Sequence, residues 1–334
     1  MNFKAGGYDQ GYKEIKVYWG PDARCRVSFP TAIAPVPTRR FGIQPVDYHV
    51  LTSPFHYLVG QAAVDLAEPL TLKDRDWILS DEWFATWLLG LSLSSGGVDQ
   101  GVFPVLGLPT NFFTDQDIQM VADRVLGVHK VQREGYPEQT FTIKDCRVIP
   151  QPYGTLLSLG LTHTGKQGDP SMFGYIGIVD IGGKTTNYLS VKNGMNMVAG
   201  ESKSITVGGW NVVQELGAWI DDTYRGLELN VHEIAQVMQT GTLSYEGKSK
   251  QVSAQVAEIA EPFARKVYTE ATHLWNGGKG MDEILITGGG SLLLGKLVRK
   301  HLGRGTLVKD PVFANAMGYY NFARMLQGKG IGVS

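Results

Sequence analysis

Two short segments of the chain repeat one pattern in one setting. Residues 9 to 13 read Asp-Gln-Gly-Tyr-Lys, and residues 180 to 184 read Asp-Ile-Gly-Gly-Lys. Each D-x-G-x-K follows an extended run and precedes an alternating one, so each predicts a strand, a tight turn and a second strand. The copies lie 171 residues apart, about half of a 334-residue chain. One copy alone is an ordinary Asx-type hairpin turn. Two copies in matching settings predict two similar α/β domains, each offering a carboxylate and a set of glycine-opened backbone N–H groups. Nests of such groups bind anions, and two nests can hold a polyphosphate from two sides. Carboxylates beside a polyphosphate make sense when a hydrated Mg2+ lies between them, held through its water shell.

A third glycine cluster lies in ILITGGGSLLLG, where Gly288, Gly289 and Gly290 join a predicted strand to a helix N-terminus. It has neither GxGxxG nor GxxxxGK[ST] spacing, which excludes a Rossmann fingerprint and a P-loop. Alone it is a tight strand-to-helix connection; beside the two hairpins it reads as backbone approaching a nucleoside. The chain holds 42 glycines, nearly twice the usual ~7%. Ten of them, at 6, 7, 11, 182, 183, 208, 209, 288, 289 and 290, are expected on turns that line one nucleotide site.

The remaining chain narrows the function classes. Lys plus Arg number 31 and Asp plus Glu 32, a net charge of −1, which argues against a surface built to grip DNA or anionic lipid directly. Cys25 and Cys146 stand far apart outside any CxxC, and the seven histidines form no HxxxH or HExxH pair. Neither a disulfide framework nor a catalytic zinc is expected. The opening MNFKAGGYDQG lacks the apolar core of a signal peptide, and the longest apolar stretches, such as residues 83 to 93, fall short of the ~20 residues that span a bilayer. A cytoplasmic protein without membrane attachment is expected.

Local patterning supplies the elements. Residues 4 to 19 predict an opening strand, a turn over GGYDQGYKE and a second strand IKVYW. Residues 20 to 60, with prolines at 21, 30, 35, 37, 45 and 54, read as irregular structure with short strands. Residues 75 to 94 predict a helix ended by Gly96-Gly97, with Trp77, Trp83 and Trp87 in the core or at a subunit contact. Residues 102 to 109 predict a buried strand, Thr114 caps a helix to about 126, and residues 144 to 152 form a strand and turn before a helix through about 161. The loop THTGKQGDPSMFG marks a domain boundary. Helices are expected over 209–221, over 251–275 with a kink or split at Pro262, from Ser291 to Gly303, and over about 313–326. The basic KLVRKHLGR reads as a solvated helix end that complements the dipole.

These motifs resemble those of the actin, sugar kinase and heat-shock chaperone superfamily. Asp9-Gln-Gly-Tyr with Lys16 seven residues after the Asp is similar to its first phosphate motif, and Asp180-Ile-Gly-Gly-Lys-Thr-Thr to its second. GGGSLLLG resembles the adenosine motif, Gln151 stands at the first connecting segment, and Asn315-Ala-Met-Gly318 resembles the second connecting helix. The motifs keep the family's order over nearly the whole chain. GLPTNFF, VIPQP and DPVFANAMGYYNFARM look most like the ParM-type actin-like proteins that segregate plasmids. The implied fold is α/β and actin-like: two similar ribonuclease-H-like α/β domains facing across a nucleotide cleft, each with a smaller subdomain. Residues 1–163 plus 311–334 would form the first domain and 164–310 the second.

The resemblance also implies roles. Asp9 and Asp180 would hold Mg2+ through water, and Lys16 would contact the β and γ phosphates. Gly11, Tyr12, Gly182, Gly183, Lys184 and Thr185 would line the phosphates, with Gly208, Gly209, Gly288, Gly289 and Gly290 beside the rest of the nucleotide, ATP/ADP or GTP/GDP. Gln151 joins the two aspartates as the catalytic set. ParM-like relatives generally carry glutamate there; a glutamine orients the attacking water without taking its proton. From the residues alone, Lys16 also reads as a solvated strand lysine, Gln151 as a turn glutamine, and Thr185 and Thr186 as strand formers. The implied activity is an ATPase that polymerises head-to-tail with Mg-nucleotide, hydrolyses it in the filament, and couples to plasmid DNA through a ParR-like adaptor on a centromere-like site. Another actin-like scaffold or cytomotive filament, or a small-molecule kinase of the superfamily, are the alternatives; the chain shows no clear sugar-kinase signature.

Overall fold

A computed structural model describes residues 3–36, 49–66, 77–78, 80–96, 98–194 and 196–332. Pro37, Pro45, Gly97 and positions 75, 76 and 79 of the expected first helix lie outside the described residues. The chain divides into two compact units, residues 1–170 with 313–334, and residues 171–312.

The first unit begins with strands β1 (Lys4–Gln10), β2 (Glu14–Tyr18), β3 (Arg26–Pro30), β4 (Ile33–Pro35), β5 (His49–Ser53) and β6 (Tyr57–Val59). Helices α1 (Gln61–Leu66) and α2 (Asp81–Ser94) precede β7 (Gln100–Leu108) and α3 (Asp115–Val125). Then come β8 (Gly127–Arg133), β9 (Gln139–Ile143), β10 (Arg147–Pro150) and α4 (Tyr153–Gly160). The unit's frame is the order β3-β2-β1-β7-β10, with β1, β7 and β10 parallel and β2 antiparallel to both β1 and β3.

The second unit holds β11 (Ile176–Ile181), β12 (Thr186–Lys192), β13 (Asn196–Met197) and β14 (Lys203–Ile205). Next are α5 (Gly209–Thr223), α6 (Val231–Thr240), the hairpin β15 (Thr242–Tyr245) and β16 (Lys248–Gln251), and α7 (Ser253–Trp275). It ends with β17 (Glu283–Thr287), α8 (Ser291–Leu302) and β18 (Thr306–Leu307); α9 (Ala314–Gly328) returns to the first unit. Its sheet runs β13-β12-β11-β17-β18, with β14 also on β12, and again a hairpin leads into parallel strands. The two units therefore share one strand order, as the repeated hairpin implies.

The opening strand differs from its sequence reading. Gly6 and Gly7 do not lie on a turn: β1 runs through them to Gln10, and the turn is confined to residues 11 to 13. Their smallness serves packing. A Cβ on Gly7 would fall 2.0 Å from the Ala316 carbonyl oxygen and 2.7 Å from the Tyr320 nitrogen, so bare strand is what lets the α9 backbone lie on the sheet. On the other face Tyr8 packs near Trp87 of α2, ring centroids 6.5 Å apart. Trp77, Trp83 and Trp87 are all buried in this core. The second core gathers Tyr188, Val267, Trp275, Ile284 and Leu294 around β11 and β17.

Pro262 neither splits nor ends α7, which is one 23-residue helix. Pro262 and Glu258 are both exposed, so the carbonyl that the proline leaves without an intrahelical donor faces water. The hairpins β8–β9 and β15–β16 and helix α6 are elements the sequence patterning did not single out. Among the described residues, no helix is long and apolar enough to cross a membrane.

Candidate functional site

The first half-site forms where β1 ends. Antiparallel register sets Lys16 of β2 directly opposite Asp9, which puts both side chains on one face. The Lys16 ammonium lies 3.9 Å from a carboxylate oxygen of Asp9 and 3.9 Å from one of Glu14. The turn between them is tied to the segment after β3: Thr31 donates its N–H to the Lys13 carbonyl at 2.9 Å and its hydroxyl to the Gly11 carbonyl at 2.6 Å. A Cβ on Gly11 would meet the Glu14 carbonyl oxygen at 2.7 Å, so this position is narrow, while Tyr12 packs half-buried against the core.

Gln151 reaches the same place from 142 residues away. Its N–H donates to the Leu108 carbonyl at 2.7 Å, and its side-chain Nε2 donates to Asp9 Oδ1 at 2.7 Å. An ionised carboxylate accepts only, so the amide nitrogen is the atom facing Asp9. A glutamate here would set two carboxyls at hydrogen-bond distance and force them to share a proton. Asp9 is 3% exposed. Burial pushes its carboxyl above the usual range; Lys16 and the Gln151 amide favour the ionised form and offset part of the rise, and Glu14 adds to it. Behind Gln151, Asn315 of α9 accepts the Thr155 N–H and hydroxyl, each at 3.0 Å.

The second half-site forms at the end of β11, where Asp180 is likewise 3% exposed. Its cross-strand partner is Asn187 rather than a lysine, and Asn187 accepts a hydrogen bond from Ser204. The turn from 182 to 185 is closed by the Gly182 N–H donating to Thr185 O at 2.8 Å. Three successive carbonyls, from the last residue of β11 into this turn, are held from outside. Gly290 N–H donates to Ile181 O at 2.7 Å, Gly209 N–H to Gly182 O at 3.0 Å and Trp210 N–H to Gly183 O at 2.8 Å. Gly208 fits because a Cβ there would strike Gly183 O at 2.4 Å. Gly288, at φ +84°, lies against the aspartate: its Cβ would fall 2.3 Å from Asp180 Oδ1.

The structure thus brings Asp9, Gly11, Lys16 and Gln151 together in one unit, and Asp180, Gly182, Gly183, Gly208, Gly209, Gly288 and Gly290 together in the other. Gly289 differs from its neighbours, since a Cβ there would meet no atom within 4 Å. Lys184 is exposed at the turn's tip. Thr185 lends its carbonyl to the turn, and Thr186 is fully buried with its hydroxyl donating to Val207 O at 2.7 Å. One residue beside the glycines escaped the sequence reading. Leu292, in the first turn of α8, is 55% exposed, and an apolar side chain at a helix start after a glycine cluster is the signal that would have found it.

In each half-site one buried carboxylate, Asp9 or Asp180, is the group that could hold a metal. Among the described residues no three His, Cys, Asp or Glu gather as a ligand cage. Mg2+ keeps several waters and binds through one or two carboxylates plus substrate phosphates. Asp9, buried with its carboxyl pushed up, is a group whose ionised form a nearby cation would stabilise.

This fold is that of the actin-like proteins. Residues 7–154 match the family model of the actin-like proteins' N-terminal domain, and residues 178–300 match that of the archaeal MreB-like actin homologues' C-terminal part; the chain has the actin-like fold. An archaeal actin homolog is 24% identical with a TM-score of 0.78, covering 96% of this chain and 99% of its own. The same homolog in complex with ADP superposes with a TM-score of 0.74 at 23% identity, over 96% and 99% of the two chains. The subunit of a 15-stranded ParM filament from Clostridium botulinum is 21% identical with a TM-score of 0.73, over 97% and 99%. A search of the curated proteins finds no match to this chain.

Proposed function

We propose that the chain is a nucleotide-driven filament protein of the ParM type. It binds Mg·ATP, assembles head-to-tail with further copies of itself, and hydrolyses the nucleotide within the filament. One observation carries the reading: Gln151, 142 residues from Asp9, meets Asp9 and Lys16 at a strand end, with its amide on a buried carboxylate and an ammonium alongside. That is a water-positioning group, a cation-binding acid and a phosphate-binding base in one place. The archaeal homolog's ADP complex and the ParM filament support the same reading.

The residues divide the work. Lys16 neutralises phosphate charge, and the exposed face of each turn receives phosphate oxygens. Asp9 and Asp180 are the residues that would hold a hydrated Mg2+, which when bound would screen phosphate charge. Gln151 orients a water for in-line attack, with Asp9 holding its amide, and turnover rests on positioning rather than proton abstraction. A heterologous contact that does not close yields a filament, and hydrolysis weakens it. The cargo we assign is plasmid DNA, reached through a ParR-like adaptor on a centromere-like site; the near-zero net charge agrees with an indirect link.

The test mixes purified protein with Mg·ATP, Mg·GTP or no nucleotide and follows light scattering, pelleting, electron microscopy and phosphate release. Nucleotide-dependent filaments are expected. Absence of filaments in every condition, with phosphotransfer to a sugar, sinks the proposal in favour of a kinase. Asp180→Ala should abolish phosphate release with the fold intact; unchanged turnover would mean the site is misassigned.

A further inference from the structure

Beneath Gln151 lies a buried tyrosine that the half-site does not contain. Helices α4 and α9 touch backbone to backbone, since a Cβ on Gly318 would lie 1.7 Å from the Gly154 carbonyl oxygen. The next residue, Tyr319, is fully buried. Its ring occupies the space that two missing side chains leave: a Cβ on Gly154 would fall 2.6 Å from Tyr319 Cε1, and one on Gly107 of β7 would fall 1.9 Å from the hydroxyl. Threaded this way, the hydroxyl donates to the Gln151 carbonyl at 2.8 Å. That carbonyl also accepts the Gly154 N–H at 3.2 Å, while the Gln151 N–H goes to Leu108.

We propose that Tyr319 is a positioning residue for hydrolysis, whose hydroxyl fixes the Gln151 backbone so that the side-chain amide stays on Asp9. The inference rests on the reading of Gln151 as the water-orienting group. A phenylalanine would fill the same space, so packing alone does not call for the hydroxyl. A buried phenol needs an acceptor, and here it takes the carbonyl of the residue whose side chain touches the buried aspartate. Slight freedom in a group that orients a water reduces the rate more than it reduces ligand affinity.

Tyr319→Phe tests this in the full-length protein. We expect kcat for phosphate release from Mg·ATP to fall roughly five- to tenfold, the scale of one hydrogen bond. KM and the affinity for a fluorescently labelled ADP should stay within about twofold. Amide hydrogen exchange in the peptide covering residues 150–154 should quicken. Tyr320→Phe, one position along and packed edge-on against Tyr18 at 5.4 Å, should change none of these. An unchanged kcat in Tyr319→Phe overturns the proposal whatever the exchange shows, and so does a loss of ADP affinity that parallels the loss of rate. If the wild-type chain releases no phosphate, the water-orienting reading fails separately. The exchange comparison then decides: faster exchange confined to 150–154 supports the strut, and unchanged exchange overturns it.

Discussion

Two glycines of the same helix should respond to alanine with opposite signs. In α9, Gly318 and Gly328 share a secondary structure and both gain helix propensity on replacement, by up to ~1 kcal/mol. Their surroundings differ. At Gly318 the new methyl would sit 1.7 Å from the Gly154 carbonyl oxygen and 2.8 Å from the Ser158 nitrogen, both atoms of the α4 backbone. Ordinary contact begins near 3.4 Å, so α4 and α9 must separate by about 1.7 Å, with no flexible side chain to yield instead. Overpacking of that kind costs about 3 kcal/mol, which leaves Gly318→Ala destabilised by about 2 kcal/mol after the propensity gain. At ~2–4 °C per kcal/mol this lowers the midpoint of the first unit by ~4–8 °C. At Gly328 a Cβ meets nothing within 4 Å, so Gly328→Ala should be neutral or raise the midpoint by up to ~4 °C. Thermal melts followed by circular dichroism, with urea titrations at 25 °C as a check, measure both. Equal or greater stability in Gly318→Ala refutes the reasoning, because the helices would then have room that the backbone contact denies.

Asp9→Asn should trade function for stability. Burial raises the folded-state pKa above the 3.8 of the free side chain, so the carboxylate opposes folding increasingly as pH climbs above about 4. The asparagine variant should melt higher than wild type at pH 7, with the difference vanishing below about pH 4. Its Mg-dependent phosphate release should fall at least tenfold, and a variant that melts lower at pH 7 contradicts the burial argument. His129 works in the opposite direction. Burial lowers its pKa below 6.5, against a smaller upward pull from the hydrogen bond to Val125 O at 2.8 Å. Its ring lies edge-on to Phe84 and Trp87 at 5.5 and 5.3 Å. The stability it contributes is present above pH 6.5 and lost as pH falls below it, so His129→Gln should flatten the stability profile below pH 6.5; an unaltered slope refutes this.

Much of the architecture could be read along the chain because its signals are local. A strand, a glycine turn and an alternating strand mark both hairpins, and Thr114 caps α3 as its spacing with Asp117 implies, accepting the Asp117 N–H at 3.2 Å. The misreadings arise where the surroundings of a residue override its local signal. Gly6-Gly7 has turn composition, yet the α9 backbone that requires bare strand there comes from more than 300 residues away. Pro262 carries a helix-breaking signal that solvent exposure of its turn overrides. In the candidate site, the aspartates and glycines announce themselves by motif. The amide of Gln151 on Asp9 and the hydroxyl of Tyr319 on Gln151 do not, since each joins segments more than 140 residues apart and depends on which strands pair. Nothing in residues 151 or 319 alone encodes that meeting.

The second hairpin turn is also a mechanical joint. Its carbonyls at 181, 182 and 183 are grasped by N–H groups at the leading ends of α8 and α5, so the turn cannot pivot without carrying both helices. Helix α5 is 15 residues long, about 22 Å at 1.5 Å per residue. A tilt of a few degrees at the turn therefore becomes about an ångström of travel at Thr223, and a push on the far end of α5 returns along the same rod to the backbone beside Asp180.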